Sequence, residues 1–477
     1  MTAIDREAKT VATVEHALPD GFQVQIDMRC ARRRDLRYLV GGSPTRMLRL
    51  TDAALGMTSA DGRIEVCDPA TRSLARRLLD SGIANPRPMF GPKPADVTIV
   101  VPVRDNQSGV DRLLRAVDGV EVIVVDDGSR TPIRVDQRHR VIRFDENRGP
   151  SAARNAGASA ATTDFVAFLD SDVVPTADWL TMLLGHFSDP AVAIVAPRIV
   201  GLSRAAREAS MVERYENGHS SLDMGPEECS VVPGSRVPYV PSAAMVVRRK
   251  AFGGFDESLR VAEDVDLCWR THKAGWRVRY DPVAEVAHDH RTDVRSVLQR
   301  RRYYGTGAAH LADRHGGFAA PVVMSIPMAL AVAALLTRTR IGLAIALIIV
   351  ANTGMRLRRR LGDLPGAPLV ATQMTGRAVG FGLLQAAGAI CRHYWPVAVV
   401  LALFWPRFRR LAIEVALAEG VVSWARQVVA DPAGGPALGP LGYTVLHRLD
   451  DLAYGAGLWQ GAIAHRELGA LRPVLTT

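Results

Sequence analysis

The sequence predicts an α/β protein whose central domain is a mostly parallel sheet covered by helices on both faces. A small α+β module precedes it and a helical, membrane-associated region follows. Three observations carry that expectation. Between Ala95 and His290, short runs rich in Val and Ile alternate with helical stretches, the pattern of strands buried on both faces. The segment NPRPMFGPKP holds four prolines and reads as a linker. Beyond Arg291 the chain becomes rich in Arg and Ala, with long uncharged runs. These changes of texture set expected boundaries of 1–90, 91–300 and 301–477.

In chain order, the first part mixes strand-like pieces (GFQVQIDM, RYLVGG) with a helical pattern in PATRSLARRLLDSG. In the central part, VTIVVPV, EVIVVDDGS, VIRF, DFVAFLDSD and VAIVAP are strand candidates that end near polar residues. Ligands of such sheets sit outside the carboxyl ends of the strands. There VTIVVPV runs into Arg104, Asp105 and Asn106, and EVIVV into Asp126, Asp127, Gly128 and Ser129. An acidic pair at that place can accept from a base N–H and from ribose hydroxyls, although Asp-Asp-Gly-Ser is equally good turn chemistry. Next, Asn147, Arg148, Gly149 and Pro150, followed by Ser151, Arg154, Asn155 and Gly157, open a helix with small residues. Such a start lets backbone and arginines approach phosphates, or lets the helix pack closely on the sheet.

In DFVAFLDSD the apolar run ends on Asp170, Ser171 and Asp172. Carboxylates separated by one residue point the same way in extended chain. Their hard oxygens suit a divalent ion, Mn2+ or Mg2+, which would neutralise charge on a departing nucleoside diphosphate. Further on, AEDVDLCWR places Asp264 at the start of a helical pattern. The helix dipole favours an ionised carboxylate there, which suits a general base or a simple helix cap. In VAHDHRTD, either His288 or His290 could complete the metal site, or both could be structural.

Taken in order, VTIVVPVRDN, VIVVDDGS, NRGPSAARNAG, DFVAFLDSD and AEDVDLCWR resemble the motifs of family 2 glycosyltransferases of the GT-A fold, a Rossmann-like architecture. The resemblance spans about Ala95 to His290. It implies transfer of a sugar, with inversion, from a nucleotide-diphosphate donor to an acceptor hydroxyl in one displacement. It also implies Asp126 and Asp127 at the nucleoside, Asp170 near the ribose, Asp172 on the metal and Asp264 as base; Arg148 and Arg154, at the helix start read above, are expected at the donor. His288 resembles the late metal-ligating histidine of some members.

The first module, with SPTRMLRLTDAAL between a strand pair and a short helix, resembles winged-helix peptide-binding modules of peptide-modifying pathways such as pyrroloquinoline quinone biosynthesis. These hold a precursor peptide by strand addition, and the basic run Arg32, Arg33, Arg34 could attract its acidic residues. The three parts together resemble transferases that act on a peptide-derived redox cofactor. That implies such an acceptor, with a cell-envelope glycan or glycolipid as the alternative, and glucose, β-1,4-linked in a short chain, as the sugar.

In the last part, Phe318 to Leu336 is a run of 19 uncharged residues, and Ile341 to Ala351 one of 11. Arg338 and Arg340 lie between them and MRLRRR follows. A shallow hairpin, or one span followed by interfacial helices, on the cytoplasmic face of the cell membrane suits those charges; buried helices of a soluble protein are the alternative. The composition agrees with a folded chain, 48% hydrophobic and 23% charged over 477 residues. The net charge of +10 reads as a solvated basic surface, or as attraction to anionic lipid or diphosphates. No nucleic-acid recognition motif accompanies it. Five scattered cysteines without a CxxC spacing argue against a disulfide framework or zinc site and for a reducing compartment. No classical signal peptide is expected from the charged first residues. The rival readings are a nucleotidyltransferase, which needs no acceptor base, and a non-catalytic peptide-binding scaffold.

Overall fold

The computed structural model describes residues 17–32, 35–87, 89–117, 119–202, 210–290, 292–362, 364, 366–430 and 438–476. Among them the chain forms two compact units, one from 17–202 and 219–290, the other from 210–218 and 292–476.

The first unit opens with six short strands: β1 (Gln23–Ile26), β2 (Ala31–Arg32), β3 (Asp35–Gly41), β4 (Arg46–Arg49), β5 (Arg63–Glu65) and β6 (Ala84–Pro86). They build two antiparallel sheets, ordered β5-β1-β6 and β2-β3-β4. Helix α1 (Pro69–Asp80) begins at Asp68, whose Oδ1 accepts from the Thr71 N–H at 2.7 Å while Thr71 Oγ1 accepts from the Asp68 N–H at 3.0 Å. This reciprocal cap, with Pro69 at the first helical position, fixes where the helix starts. Its Ala75, Leu78 and Leu79 close a core with Val24, Ile26, Leu39, Ile64 and Ile83. Pro86 ends β6, an edge strand, where a missing N–H breaks no ladder. The proline-rich segment therefore starts inside this small sheet. The module also belongs to the same compact unit as the central sheet: Arg76 is bidentate on Asp189 at 2.7 Å to each oxygen, and Arg277 meets Asp80 at 2.6 and 2.8 Å. The side chains of Arg32, Arg33 and Arg34 lie outside the described residues.

The central sheet has nine strands: β7 (Val97–Val103), β8 (Glu121–Asp126), β9 (Arg140–Arg143), β10 (Phe165–Leu169), β11 (Val173–Pro175), β12 (Val192–Gly201), β13 (Cys229–Val231), β14 (Ala244–Arg248) and β15 (Arg277–His288). Their order is β11-β15-β12-β14-β10-β7-β8-β9, with β13 also on β15. Around β7 the ladders are parallel, as expected, and β12 is parallel to β15. But β14 runs antiparallel to both β10 and β12, and β11 and β13 run antiparallel to β15. The sheet is thus mixed rather than mostly parallel. An apolar run such as AMVVR, with four of its five residues buried, records burial on both faces and carries no sign of direction.

Every residue of β7 and of β10 is buried. Helix α2 (Pro150–Ala160) lies against β7 and β8 and buries Ser151, Ala152, Ala153, Arg154, Gly157 and Ala158. A Cβ on Gly157 would stand 2.3 Å from Val100 Cγ1, so the small residues of this helix do serve close packing.

In the second unit, α4 (Val294–His315) packs along α9 (Pro440–His465); α3 is the helix Glu263–Lys273 of the first unit. A Cβ on Gly457 would stand 1.8 Å from the Arg302 carbonyl oxygen, so the two backbones nearly touch. Arg301 pairs at 2.8 Å with Glu216 of the helix Met211–His219 and at 2.8 Å with Asp450. The uncharged run Phe318 to Leu336 does not form one helix. It breaks into a turn of 3-10 helix, a strand (Val323–Ser325) and α5 (Ile326–Leu336), whose 11 residues are about half what a bilayer core needs. Conversely, the 11-residue run Ile341 to Ala351 continues through MRLRRR as α6 (Arg340–Leu361). Its 22 residues, with mean hydropathy 1.5 in the most apolar window, make it the one helix among the described residues long and apolar enough to cross a membrane. After it, α7 (Ala367–Gly388) continues through a π-turn to His393 and bends by 86° into α8 (Trp395–Phe404).

Candidate functional site

The loops at the carboxyl ends of β7, β8 and β10 gather the acidic residues. After β7, Asn106 accepts from the Gly109 N–H at 3.1 Å and donates to Ser171 Oγ at 3.0 Å, tying the first loop to the acidic loop after β10. After β8, Asp126 is fully buried and accepts from the Ser129 N–H at 2.9 Å, the Ile133 N–H at 3.1 Å and the Arg143 guanidinium. Burial works to raise its pKa, but these donors outweigh it and hold the carboxyl below the ordinary range. Asp126, expected at the nucleoside, holds this loop together through these donors. Asp127, also buried, accepts from the backbone N–H groups of Arg148 at 2.6 Å and Gly149 at 2.9 Å. It fixes the turn into α2. The Arg148 guanidinium lies over the Phe144 ring at 4.7 Å and is half-exposed.

The residues that come together lie one strand further. Arg154 is buried and shared: it donates to Asp170 Oδ1 at 2.6 Å and to Glu263 Oε1 at 3.0 Å, with its guanidinium 5.4 Å from the Phe255 ring. Burial opposes its charge, but Asp170 and Glu263 prevail and raise its pKa. The neighbouring Asn155 pins the same segment, accepting from the Phe255 N–H and donating to the Phe255 carbonyl, both at 2.8 Å. Asp170 is pushed up, by burial first; Arg154 opposes and the charge of Asp172 adds.

β11 pairs with β15 so that Val173 faces His288. That register brings His288 Nε2 to 3.4 Å from Asp172 Oδ2, and His288 Nδ1 to 3.1 Å from His290 Nδ1. Burial lowers the pKa of His288, but the Asp172 carboxylate more than compensates and leaves it raised. A carboxylate beside an imidazole is a donor set that suits Mn2+ or Mg2+ when phosphate oxygens supply further ligands. Groups of three acidic or histidine ligand atoms within 4.8 Å occur elsewhere, two of them at His186, Glu228 and Asp281 and at Glu419, His447 and Asp451. Arginines already neutralise both: Arg279 stands 2.8 Å from Glu228, and Arg448 stands 3.0 Å from Asp451 and pairs with Glu419.

Asp264 sits in the first turn of α3. Its Oδ1 accepts from the Val265 N–H at 2.8 Å and its Oδ2 from the Ser242 N–H at 3.3 Å. Burial, and after it the charge of Glu263, push its carboxyl up to about 7, where a group can accept a proton and release it near neutrality. Asp266, two residues on, is buried and committed to Arg270 at 2.6 Å. Sequence reasoning passed over Glu263 as a partner of Arg154, and Asn155 as the pin of Phe255. No sequence spacing signals either, because residues about 100 apart supply each pair.

Residues 98–254 match the model of the family described as glycosyl transferase family 2. The chain is 48% identical over 469 residues to the pre-mycofactocin glycosyltransferase of Mycobacterium tuberculosis, covering 96% of this chain and 99% of that protein. It is 31% identical over 211 residues to the succinoglycan biosynthesis protein ExoO of Rhizobium meliloti, covering 40% of this chain and 60% of that one. Among solved structures it matches the mannosyltransferase PcManGT from Pyrobaculum calidifontis in complex with GDP-Man and Mn2+, with a TM-score of 0.34, 17% identity, and coverage of 72% and 90%.

Proposed function

The chain belongs to glycosyltransferase family 2 and is a nucleotide-sugar-dependent hexosyltransferase; from that premise we propose that it glycosylates the peptide-derived redox cofactor precursor pre-mycofactocin, with glucose as the sugar and a β linkage as the product. What supports the acceptor is the end-to-end likeness at 48% identity to a protein that bears that name. What supports the reaction is the convergence of the acidic loop after β10 and the Asp264 carboxylate, through Arg154, at the carboxyl end of a central strand.

In this reading Asp127, Arg148 and Asp170 line the donor site, and Asp126 and Arg154 shape it. Asp172 and His288 would hold the divalent ion, which would offset charge on the departing nucleoside diphosphate. Asp264 takes the proton of the acceptor hydroxyl as that oxygen bonds to the anomeric carbon. The bond from that carbon to the diphosphate breaks on the opposite face, which inverts the configuration. Incubating the protein with a panel of nucleotide sugars, Mn2+ and pre-mycofactocin tests this. A glycosylated cofactor precursor and free nucleoside diphosphate are expected; release of pyrophosphate instead would favour a nucleotidyltransferase.

The small module is the acceptor-selecting part of this proposal. Among the described residues, β4 is paired only with β3, and Arg46 and Arg49 on it are exposed. An extended acidic peptide could add there as a strand. Reversing both charges (Arg46→Glu, Arg49→Glu) should raise KM for the acceptor and spare donor hydrolysis. An unchanged KM would remove the module from acceptor selection.

The cytoplasmic face of the cell membrane is the proposed location. Apolar side chains on α6 and α8 are exposed, Ile341 at 75% and Phe404 at 84%, and Arg356, Arg358, Arg359 and Arg360 at the end of α6 are exposed too. Such a belt with a basic fringe suits an anionic bilayer. The protein should float with phosphatidylglycerol vesicles more than with phosphatidylcholine vesicles, and Arg358, Arg359, Arg360→Gln should narrow that difference. Protein that stays in the aqueous fraction with both would overturn the location.

A further inference from the structure

We propose that Glu263 is a positioning residue for the base: held by Arg154, it fixes the start of α3 so that Asp264 is presented to the acceptor hydroxyl. The proposal rests on Asp264 being the base.

The start of α3 does not hold itself. Its N-cap residue, Ala262, sits at φ 63, in the left-handed region, and offers no side-chain cap. An alanine in that conformation carries strain that the surroundings must impose. Glu263 is the next residue and ties the first turn to another helix, its Oε1 accepting from Arg154 at 3.0 Å. Arg154 is itself immobile. Its side chain is 4% exposed, its other nitrogen is on Asp170 at 2.6 Å, and its ring partner Phe255 is pinned by Asn155. The guanidinium fork thus spans from the acidic loop to the base helix, a geometry that a lysine ammonium cannot reproduce.

The charged and titratable groups around Asp264 are Glu263 beside it, Arg154 from α2, and Cys268 one turn on. Glu263 raises the Asp264 carboxyl and Arg154 lowers it. Removing the Glu263 charge therefore has two separable consequences. The base is less firmly placed, which lowers kcat, and it ionises at lower pH, which moves the acid limb of the pH profile. A residue that served stability alone would produce neither a shifted limb nor a loss confined to kcat.

The experiment measures kcat, donor KM and the pH dependence of kcat for the full-length chain carrying Glu263→Gln, Glu263→Asp or Arg154→Lys. With Glu263→Gln, kcat should fall about ten- to hundredfold, the range for a misplaced reacting group or lost supporting partner, with donor KM nearly unchanged and the acid limb displaced to lower pH. Glu263→Asp keeps the charge and should restore the limb while leaving kcat depressed. Arg154→Lys should also lower kcat. If Glu263→Gln loses its cooperative thermal transition, the Glu263→Asp and Arg154→Lys kcat values decide. Wild-type kcat and an unmoved limb would overturn the proposal. If Asp264→Asn turned over fully, the base assignment itself would fall, an outcome distinct from an inert Glu263.

Discussion

Asp264→Asn is expected to leave donor binding near normal and to lower transfer by about two to four orders of magnitude, the usual cost of losing a general base. The amide keeps the shape of the carboxylate, and its oxygen can still accept one of the two N–H groups, from Val265 or Ser242, that hold Asp264. It cannot take the hydroxyl proton. The wild-type enzyme carries a further sign of the same group. With the carboxyl pushed up to about 7 by burial and by Glu263, the base is protonated and idle at pH 5, so kcat should climb as pH rises through neutrality. Stability should move the other way. A carboxyl whose folded pKa lies above its unfolded one contributes stability that is present at low pH and lost as pH rises through the folded value. The Asn variant should therefore gain thermal stability relative to wild type at pH 8 and lose that advantage at pH 4. Kinetics per bound donor check the first expectation and melting curves at the two pH values check the second. A variant that lost donor binding but kept its turnover would move Asp264 to the donor site.

The strands that build the site were legible because burial on both faces writes an uninterrupted apolar run. β7, β8 and β10 stand where VTIVVPV, EVIVVD and FVAFL predict. The same property hid the direction of β14, since a buried strand reads alike either way. The acidic positions were legible as residues and not as partners. Asp126 and Asp127 are adjacent and look like one pair, yet their oxygens bind different loops, and only coordinates show that Asp126 is sealed from solvent. Within AEDVDLCWR, Asp266 could have been set aside from sequence, because Arg270 follows it four residues on, the helical spacing of an ion pair. Glu263 could not, because its partner lies 109 residues away. In the last part, the arginines of MRLRRR concealed the length of α6: an apolar count stops at the first charge, whereas a helix continues through good helix formers such as Met, Leu and Arg.

Asp172→Asn should weaken metal and donor binding together and lower kcat/KM by about two to three orders of magnitude, the range for removing one group that stabilises charge on a leaving oxyanion. The argument begins with charge. The departing diphosphate has to be neutralised, and of the carboxylates on the acidic loop Asp170 is already committed to Arg154 at 2.6 Å. Asp172 is the one 43% exposed and 3.4 Å from an imidazole, His288. Replacing it by an amide keeps one oxygen ligand and removes the negative charge, so Mn2+ should bind more weakly and the donor with it. The His288 pKa should fall as well, because the Asp172 carboxylate is the chief influence that raises it against burial. That fall reports the Asp172–His288 pair itself and is visible by NMR titration of the ring without any metal or donor, whereas the metal is read by ion and donor titration. Calorimetric titrations of Mn2+, and of nucleoside diphosphate with and without Mn2+, complete the test. If nucleoside diphosphate bound wild type and Asp172→Asn equally well, and chelator changed neither, the divalent ion and its assignment to Asp172 would both be lost. Asp264 would then have to act against a leaving group neutralised by arginine alone, with the half-exposed Arg148 guanidinium the residue to test next.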